Sequence, residues 1–379
     1  MIVKLGSVIS EYSVRNKQDE DIPVYSVTNE QGFCTGYFSK DVSSKDRTNY
    51  KVVPYGYFAY NPSRINVGSV DWQHCEERVI VSPLYVVFKV EDSIDQRYLL
   101  HFLKSDVALT MIKAHASGSV RDNLKLSTLQ EFSINLQSIE EQRRVADVLD
   151  KVDGLLDLCK QEIKALDDLV KSRFIELFGD PVDNEMQWPT KSLEEACRVI
   201  VDCPHSTPNY TSQNTGFMCI RTSIVKKNYI IWDDIEFISE EEYNKRIQRK
   251  KPEKGDVIYT REGAILGIAA VIDKECNVAL GQRAMLLSPD ANQCNSIFLC
   301  NAMNCDSFLA NALKGQSGSA SPHINVGDIK AFKMIMPPIK LQQQFAAFVA
   351  QVDKSKLAVQ QGLQELETLK KSLMQQYFG

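Results

Sequence analysis

Two stretches of the chain carry a long 4-3 spacing of apolar residues, and each follows a region of short, interrupted hydrophobic runs. From Gln142 to Phe178 the seam reads Val145, Leu149, Val152, Leu156, Cys159, Ile163, Leu166, Val170 and Leu177, with Arg173 as its one break. The later seam reads Phe345, Val349, Val352, Val359, Leu363, Leu366, Leu373 and Tyr377, with Lys356 and Lys370 placed to snorkel outward. A 4-3 period sustained this long predicts a coiled-coil helix. Ahead of each helix, β-rich runs such as Val52-Val53, Val79-Ile80-Val81, Tyr85-Val86-Val87-Phe88 and Val257-Ile258-Tyr259 alternate with Gly, Pro and Asn turns, which predicts strands. Apolar spacing of three and four predicts one further helix near 98–112 and another near 298–313. Gly179 and Pro181 stop the first long helix, since glycine caps it and proline cannot continue it.

The two halves are copies. Ile139, Gln142, Ala146, Val152-Asp153, Lys171-Ser172 and Phe178-Gly179 recur 200 residues later as Ile339, Gln342, Ala346, Val352-Asp353, Lys371-Ser372 and Phe378-Gly379. Asp106, Ser117-Gly118-Ser119 and Phe132 keep the same offset in Asp306, Ser317-Gly318-Ser319 and Phe332. Nearer the starts the register slips: Lys4-Leu5 pairs with Ser192-Leu193 and Gly56 with Gly255, so the second copy holds about a dozen extra residues early on. The expected organisation is α+β: two mixed α/β heads and two long helices packed as an antiparallel coiled coil. The expected boundaries are a first head over 1–138, a helix over 139–179, a linker over 180–189, a second head over 190–337 and a helix over 338–379. Each narrow seam needs a partner, and the nearest is the other copy's seam across a pseudo-two-fold axis. About 37 helical residues span about 55 Å, a length that suits a ruler between two heads reading a duplex of matching symmetry.

Composition narrows this picture only modestly. The chain has 379 residues, 44% hydrophobic and 25% charged, as in ordinary globular proteins. No apolar run reaches the roughly 18 residues of a membrane span, and no signal peptide is expected at the start, so a cytoplasmic protein with no membrane association is predicted. Ten cysteines without a CxxC pair read as reduced thiols. A net charge of −5 does not advertise nucleic acid, so any DNA contact must rest on local positive charge.

The whole chain resembles a specificity (S) subunit of a type I restriction-modification system. The resemblance rests on the two repeated heads and on the helix openings Glu141-Gln142, after Leu136-Gln-Ser-Ile139, and Leu341-Gln342, after Met336-Pro337-Pro338-Ile339. The strand-like Gly255–Gly263 and the Phe-Gly-Asp-Pro exit at Phe178–Pro181 add to it. The second copy departs by placing Leu341 where the first has Glu141, and the first lacks the proline pair. The resemblance implies a non-catalytic protein whose two target-recognition domains read a bipartite double-stranded DNA target. It implies docking of two methyltransferase (M) subunits, joined in some systems by restriction or motor (R) subunits. No cofactor is expected in this chain; S-adenosylmethionine, ATP and magnesium belong to the partners. The alternatives are the specificity part of a single-polypeptide-type restriction system and a coiled-coil adaptor with two protein-binding heads.

An enzyme reading finds no support in the motifs. There is no phosphate loop of the GxxxxGK[ST] type and no nuclease constellation. Tyr60-Asn61-Pro62-Ser63 is similar to an amino-methyltransferase motif but lacks its second proline and its aromatic, and reads as a turn. No metal site is expected: His74, His101, His115, His205 and His323 are scattered, and Cys203-Pro204-His205 is suggestive only locally. Positive charge concentrates in Lys245, Arg246, Arg249, Lys250 and Lys251, the expected phosphate contacts. Arginine can hold guanine, and glutamine or asparagine adenine, through paired hydrogen bonds. The expected base-edge candidates are therefore Arg64, Gln73, His74, Arg121 and Asn123 in the first head, and Arg261, Gln282, Arg283 and His323 in the second.

Overall fold

In the computed structural model, which describes residues 1–36, 46–116, 123–314 and 322–379, the chain forms two compact units. One comprises Met1–Gln161 with Gln360–Gly379, the other Glu162–Val359. No helix among the described residues is long and apolar enough to cross a membrane.

The first unit is built on four strands: β1 (Ile9–Glu11), β2 (Phe58–Tyr60), β3 (Val70–Trp72) and β4 (Val86–Val90). Their order in the sheet is β1-β4-β2-β3, antiparallel throughout. The strands are short, and Phe58, Tyr60, Val70 and Phe88 are fully buried on them. A second antiparallel pair joins Ile2–Lys4 to Ser133–Asn135, tying the start of the chain to the end of the head. The helices Gln96–Leu103 and Asp106–Ala116 follow the sheet.

The second unit has the same plan. Its strands β5 (Cys197–Asp202), β6 (Val257–Thr260), β7 (Ala269–Val271) and β8 (Ala284–Pro289) lie in the order β5-β8-β6-β7. This reproduces the first sheet strand for strand. Thr190–Ser192 pairs with Lys333–Ile335 as the first unit's terminal strands do. The second unit also has a further four-stranded sheet, in which Met218–Ile220 lies between Glu236–Ile238 and Val278–Leu280, while the first has the antiparallel pairs Ser26–Thr28 with Gly32–Cys34 and Lys51–Pro54 with Arg78–Val81. The helical regions expected near 98–112 and 298–313 are each broken in two. In the first unit the break has a local cause: Ser105 Oγ donates to Phe102 O at 2.6 Å and accepts from Ala108 N at 3.2 Å, so it ends one helix and caps the next. The second unit breaks at Cys305, between Ser296–Asn304 and Asp306–Lys314.

The long helices are α1 (Ile139–Phe178) and α2 (Ile339–Phe378). In the first unit the opening half of α1 lies beside the closing half of α2. Val145, Leu149, Met374 and Phe378 share one core, and Phe378 packs on Tyr98 and Phe102 at centroid distances of 5.1 and 5.8 Å. In the second unit the closing half of α1 lies beside the opening half of α2, where Phe174 and Phe178 meet Phe298 and Phe345 at 4.8–5.7 Å. The helices therefore run antiparallel in both units. Of the seam, Val145, Leu149, Val152, Leu156, Phe345, Val349 and Val352 are buried, while Ile163, Leu166, Val359, Leu363 and Leu366 are half-buried. Lys370 reaches Asp153 at 2.5 Å and Lys356 reaches Asp167 at 2.7 Å, so both lysines leave the seam for a carboxylate on α1.

One side chain fixes each helix to its own head, and it is the glutamine of the Glu-Gln and Leu-Gln openings. Gln142 and Gln342 are both fully buried. Gln142 Oε1 accepts from Asp95 N at 2.9 Å, and its Nε2 donates to Ser93 O and Gln137 O. Gln342 Oε1 accepts from Asn295 N at 2.8 Å, and its Nε2 donates to Gln293 O and Pro337 O. Asp95 and Asn295 in turn cap the helices that follow them. Gly179 ends α1 at φ +72°, a left-handed backbone suited to glycine, and its N–H donates to Ile175 O at 2.8 Å. The segment expected as a linker is anchored: Trp188 Nε1 donates to Phe178 O, and the Asn184 side chain both donates to Trp188 O and accepts from its N–H.

Candidate nucleic-acid interface

In each unit the chain returning toward the long helix crosses one end of the central sheet. Leu124 N donates to Pro62 O, and Tyr60 Oη donates to Leu124 O at 3.0 Å, next to the end of β2. Burial pushes the Tyr60 hydroxyl well above its ordinary pKa, so it stays a donor. In the second unit Ile324 N donates to Arg261 O, and Gly263 N donates to Pro322 O, next to the end of β6. Arg64 and Asn123 in the first unit, and Arg261, Gln282, Arg283 and His323 in the second, lie by these strand ends.

The second unit holds the denser cluster, centred on Asp202 at the end of β5. Arg261, only 7% exposed, donates from Nε to Asp202 Oδ1 at 2.8 Å and from Nη2 to Asp202 Oδ2 at 3.1 Å. His205 Nε2 lies 3.1 Å from the same Oδ2. Arg283 sits at φ +69° with an exposed guanidinium, 3.7 Å from Glu262 Oε1. Gln282 Nε2 donates to His205 O and Thr207 Oγ1. Glu262 and His323 are joined by an antiparallel bridge, which brings His323 into the cluster. Arg261, Gln282, Arg283 and His323, widely separated in sequence, thus meet at one place.

The basic run divides into two classes. Arg246 is 6% exposed: its Nε donates to Glu242 at 2.6 Å, Nη1 to Leu280 O and Nη2 to Ser206 O. It ties the helix Glu240–Arg246 to the loop after β5 and is spent internally. Lys250 is paired with Glu253 at 2.7 Å and Asp256 at 3.4 Å. Lys245, Arg249 and Lys251 are exposed. Arg249 Nη1 donates to Asp202 O at 3.3 Å, so the run ends beside the Asp202 cluster. Of the five expected phosphate contacts, Arg246 and Lys250 are thus engaged within the protein, while Lys245, Arg249 and Lys251 are exposed.

The first unit separates its candidates. Arg64 is exposed beyond β2, behind the turn in which Asn61 Oδ1 accepts from Ser63, and Asn123 is exposed on the returning segment. Among the described residues neither side chain shows a hydrogen bond or an ion pair. Gln73 and His74 lie past Trp72, whose register partner is Phe58 at the opposite end of β2. Gln73 is fully buried: its Oε1 accepts from Cys75 N and Glu76 N, and its Nε2 donates to Glu76 O. With its amide spent on that loop, Gln73 has nothing to offer a base edge. His74 is exposed, with Nδ1 2.9 Å from Trp72 O and its ring 4.7 Å from the indole. Arg121 and both Ser-Gly-Ser turns fall outside the described residues.

Sequence reasoning missed Asp202, which organises three basic side chains, because it lies 59 residues from Arg261 and no local pattern links them. Cys203 and His205 do not form a metal pair. The thiol is buried and pushed up by desolvation, and the imidazole faces Asp202. Among the described residues no group of three or more His, Cys, Asp or Glu could hold a metal ion.

Residues 3–168 and again 186–368 match the family described as the type I restriction modification DNA specificity domain. The chain belongs to this family. It is similar to the specificity subunit of the type I restriction enzyme EcoKI of Escherichia coli K12, at 23% identity over 83% of this chain and 72% of that one. It is also similar to the MjaIX specificity subunit of Methanocaldococcus jannaschii, at 23% identity over 75% of this chain and 68% of that one. The crystal structure of a type I S subunit from M. genitalium superposes with a TM-score of 0.56 at 15% identity, covering 100% of this chain and 96% of that one. A chain from a structure of type I restriction-modification complex assembly gives 0.56 at 18% identity, covering 100% and 97%. This type I specificity subunit is a recognition component without catalysis of its own.

Proposed function

We propose that this specificity subunit reads a bipartite, asymmetric DNA target, with one half-site for the head over 1–138 and one for the head over 190–337. The observation that carries the reading is the repeated strand order, β1-β4-β2-β3 and β5-β8-β6-β7, with different side chains at the equivalent strand ends. A shared frame with divergent tips fits two readers of unlike sequences. In the second head Arg283, Gln282, His205 and His323 are the base-edge candidates. Arg261 is held by Asp202 and acts by stiffening that cluster. Lys245, Arg249 and Lys251 supply phosphate contacts, which position a protein on DNA without carrying sequence. In the first head Arg64 and Asn123 are the base-edge candidates, joined by Arg121 on the sequence pattern alone. His74 is kept as a candidate of the other strand end.

The subunit docks two methyltransferase subunits, and restriction subunits where a system has them. S-adenosylmethionine, ATP and magnesium serve those partners. Co-expression with the modification subunit of the same system, followed by mapping of adenine methylation in the host genome, tests the reading. A consensus of two short blocks separated by a fixed gap is expected. A contiguous consensus would refute the two-reader arrangement, and an absence of methylation would favour an adaptor with protein-binding heads.

A further inference from the structure

The two central sheets align residue by residue, because each buries the same alternate positions on the same side. On β2, Phe58 and Tyr60 enter the core shared with the long helices and Ala59 enters another. On β6, Val257 and Tyr259 enter the core shared with the long helices and Ile258 enters another. Tyr60 therefore corresponds to Tyr259. Tyr60 is paired with Val86 on β4, and Tyr259 with Met285 on β8. Two residues ahead of Val86 stands Leu84, and two residues ahead of Met285 stands Arg283. One place at the entry to an inner strand thus carries leucine in the first head and an exposed base-edge candidate, arginine, in the second.

Leu84 is 80% exposed, more than any other large apolar side chain among the described residues. An exposed leucine is ordinary on a protein surface and carries no meaning by itself. The mounting of this one does. Ser82 O accepts from Tyr85 N at 3.0 Å and Ser82 Oγ from Leu84 N at 3.5 Å, closing a turn over Pro83, whose ring fixes its own backbone. Val81 before the turn and Val87 after it are buried. Tyr85 O accepts from Lys51 Nζ at 2.6 Å, and Tyr85 Oη from Val27 N at 3.4 Å. The turn is pinned on both sides, so the leucine is held into water at a fixed place. Arg283 is held out at a cost of its own, since φ +69° strains a residue that is not glycine. Both heads therefore keep a particular side chain at this point.

If the place meets a base edge in the second head, it meets one in the first, and side-chain chemistry selects the base. Arginine's paired donors match guanine. An alkyl side chain matches the one apolar group on a major-groove edge, the 5-methyl of thymine. We infer that Leu84 is a specificity-determining residue of the first head, packing on the 5-methyl group of a thymine in the half-site which that head reads. This rests on the proposed function above and names the base chemistry at one of its reading positions.

The test uses the full-length chain assembled with its modification subunits and duplexes carrying the two mapped blocks. The first head's block is the one that stays when residues 190–337 are exchanged. Each thymine in that block is replaced singly by deoxyuridine, which removes the methyl and keeps the base pair. For the unaltered complex one replacement should weaken binding about fourfold, the worth of one buried methyl group. Leu84→Ala should weaken binding to the thymine duplex at least as much, and should no longer distinguish thymine from deoxyuridine there, the coupling expected of a direct contact. Replacements in the other block should act equally on both proteins. Circular dichroism should show the variant folded, because Leu84 is exposed. A first-head block without an A·T pair, or a Leu84→Ala complex that discriminates as the unaltered one does, overturns the inference and leaves the proposed function standing. An unaltered complex indifferent to deoxyuridine throughout the block overturns it too, and equal weakening of both duplexes by Leu84→Ala would then assign Leu84 to a wedge between base steps. A contiguous consensus, or none, defeats the proposed function and this inference with it.

Discussion

At the end of β6 the second unit carries an arginine locked between strands, Arg261 on Asp202, with His205 on the same carboxylate. At the corresponding end of β2 the first unit carries Asn61-Pro62 and, two residues on, an exposed Arg64. The frame behind both ends is shared down to single hydrogen bonds: Gln142 on Asp95 N, Gln342 on Asn295 N, and a phenylalanine at the end of each long helix in a head's core. Residues that hold the frame are thus repeated, and those at the tips are free to differ. Burial tells the two apart, and residue type does not. In the sequence Arg261 looks like a base reader and Arg246 like a phosphate contact, but in the fold both guanidiniums are held by internal hydrogen bonds.

The largest expected effects test the shared frame. Phe178→Ala and Phe378→Ala each remove a buried aromatic ring and should cost about 3–5 kcal/mol, read by chemical denaturation of each unit. Similar losses from the two would show that each head depends on its helix end to the same degree. Asp202→Ala leaves the Arg261 guanidinium buried without its partner and should cost the second unit about 3 kcal/mol or more. Arg283→Ala, at an exposed site, should stay within about 0.5 kcal/mol. If the two alter stability alike, the division into frame and tip residues fails. Gln142→Ala and Gln342→Ala should each cost about 2–4 kcal/mol, since each strands one N–H and two carbonyls.

The same division explains what was legible in the sequence. Seam residues such as Val145 and Phe345 were readable because a 3.5-residue period reports burial directly, and the copied heptads supplied the partner helix. Phe174, Met374 and Phe378 escaped that reading because they face the heads beside the seam, where no period marks them. The strand order was not readable, although the repeat required both heads to share it. Gln73 looks exposed in the sequence because it sits in a loop, and only its hydrogen bonds to Cys75 N, Glu76 N, Glu76 O and Val53 O show it to be a clamp. Asp202 was invisible because its function arises from strands that meet only in the fold.

Smaller effects sharpen the contrast within the basic run. Neutralising Lys245, Arg249 and Lys251 should flatten the salt dependence of DNA binding by about one unit for each lost phosphate contact. Replacing Lys250 should leave that slope unchanged, because its charge is already paired with Glu253 and Asp256. Equal slopes for both variants would return Lys250 to the phosphate contacts. The smallest effect is expected at the half-buried Asp153–Lys370 pair, where Asp153→Asn should cost at most about 1 kcal/mol.

The central claim is that each head reads its own half-site on a common frame. The most direct measurement replaces residues 190–337 with the second head of a related subunit and maps adenine methylation in cells that supply the modification subunit. The account predicts a consensus in which one block changes while the other block and the gap between them stay the same. A consensus in which both blocks change together would contradict it.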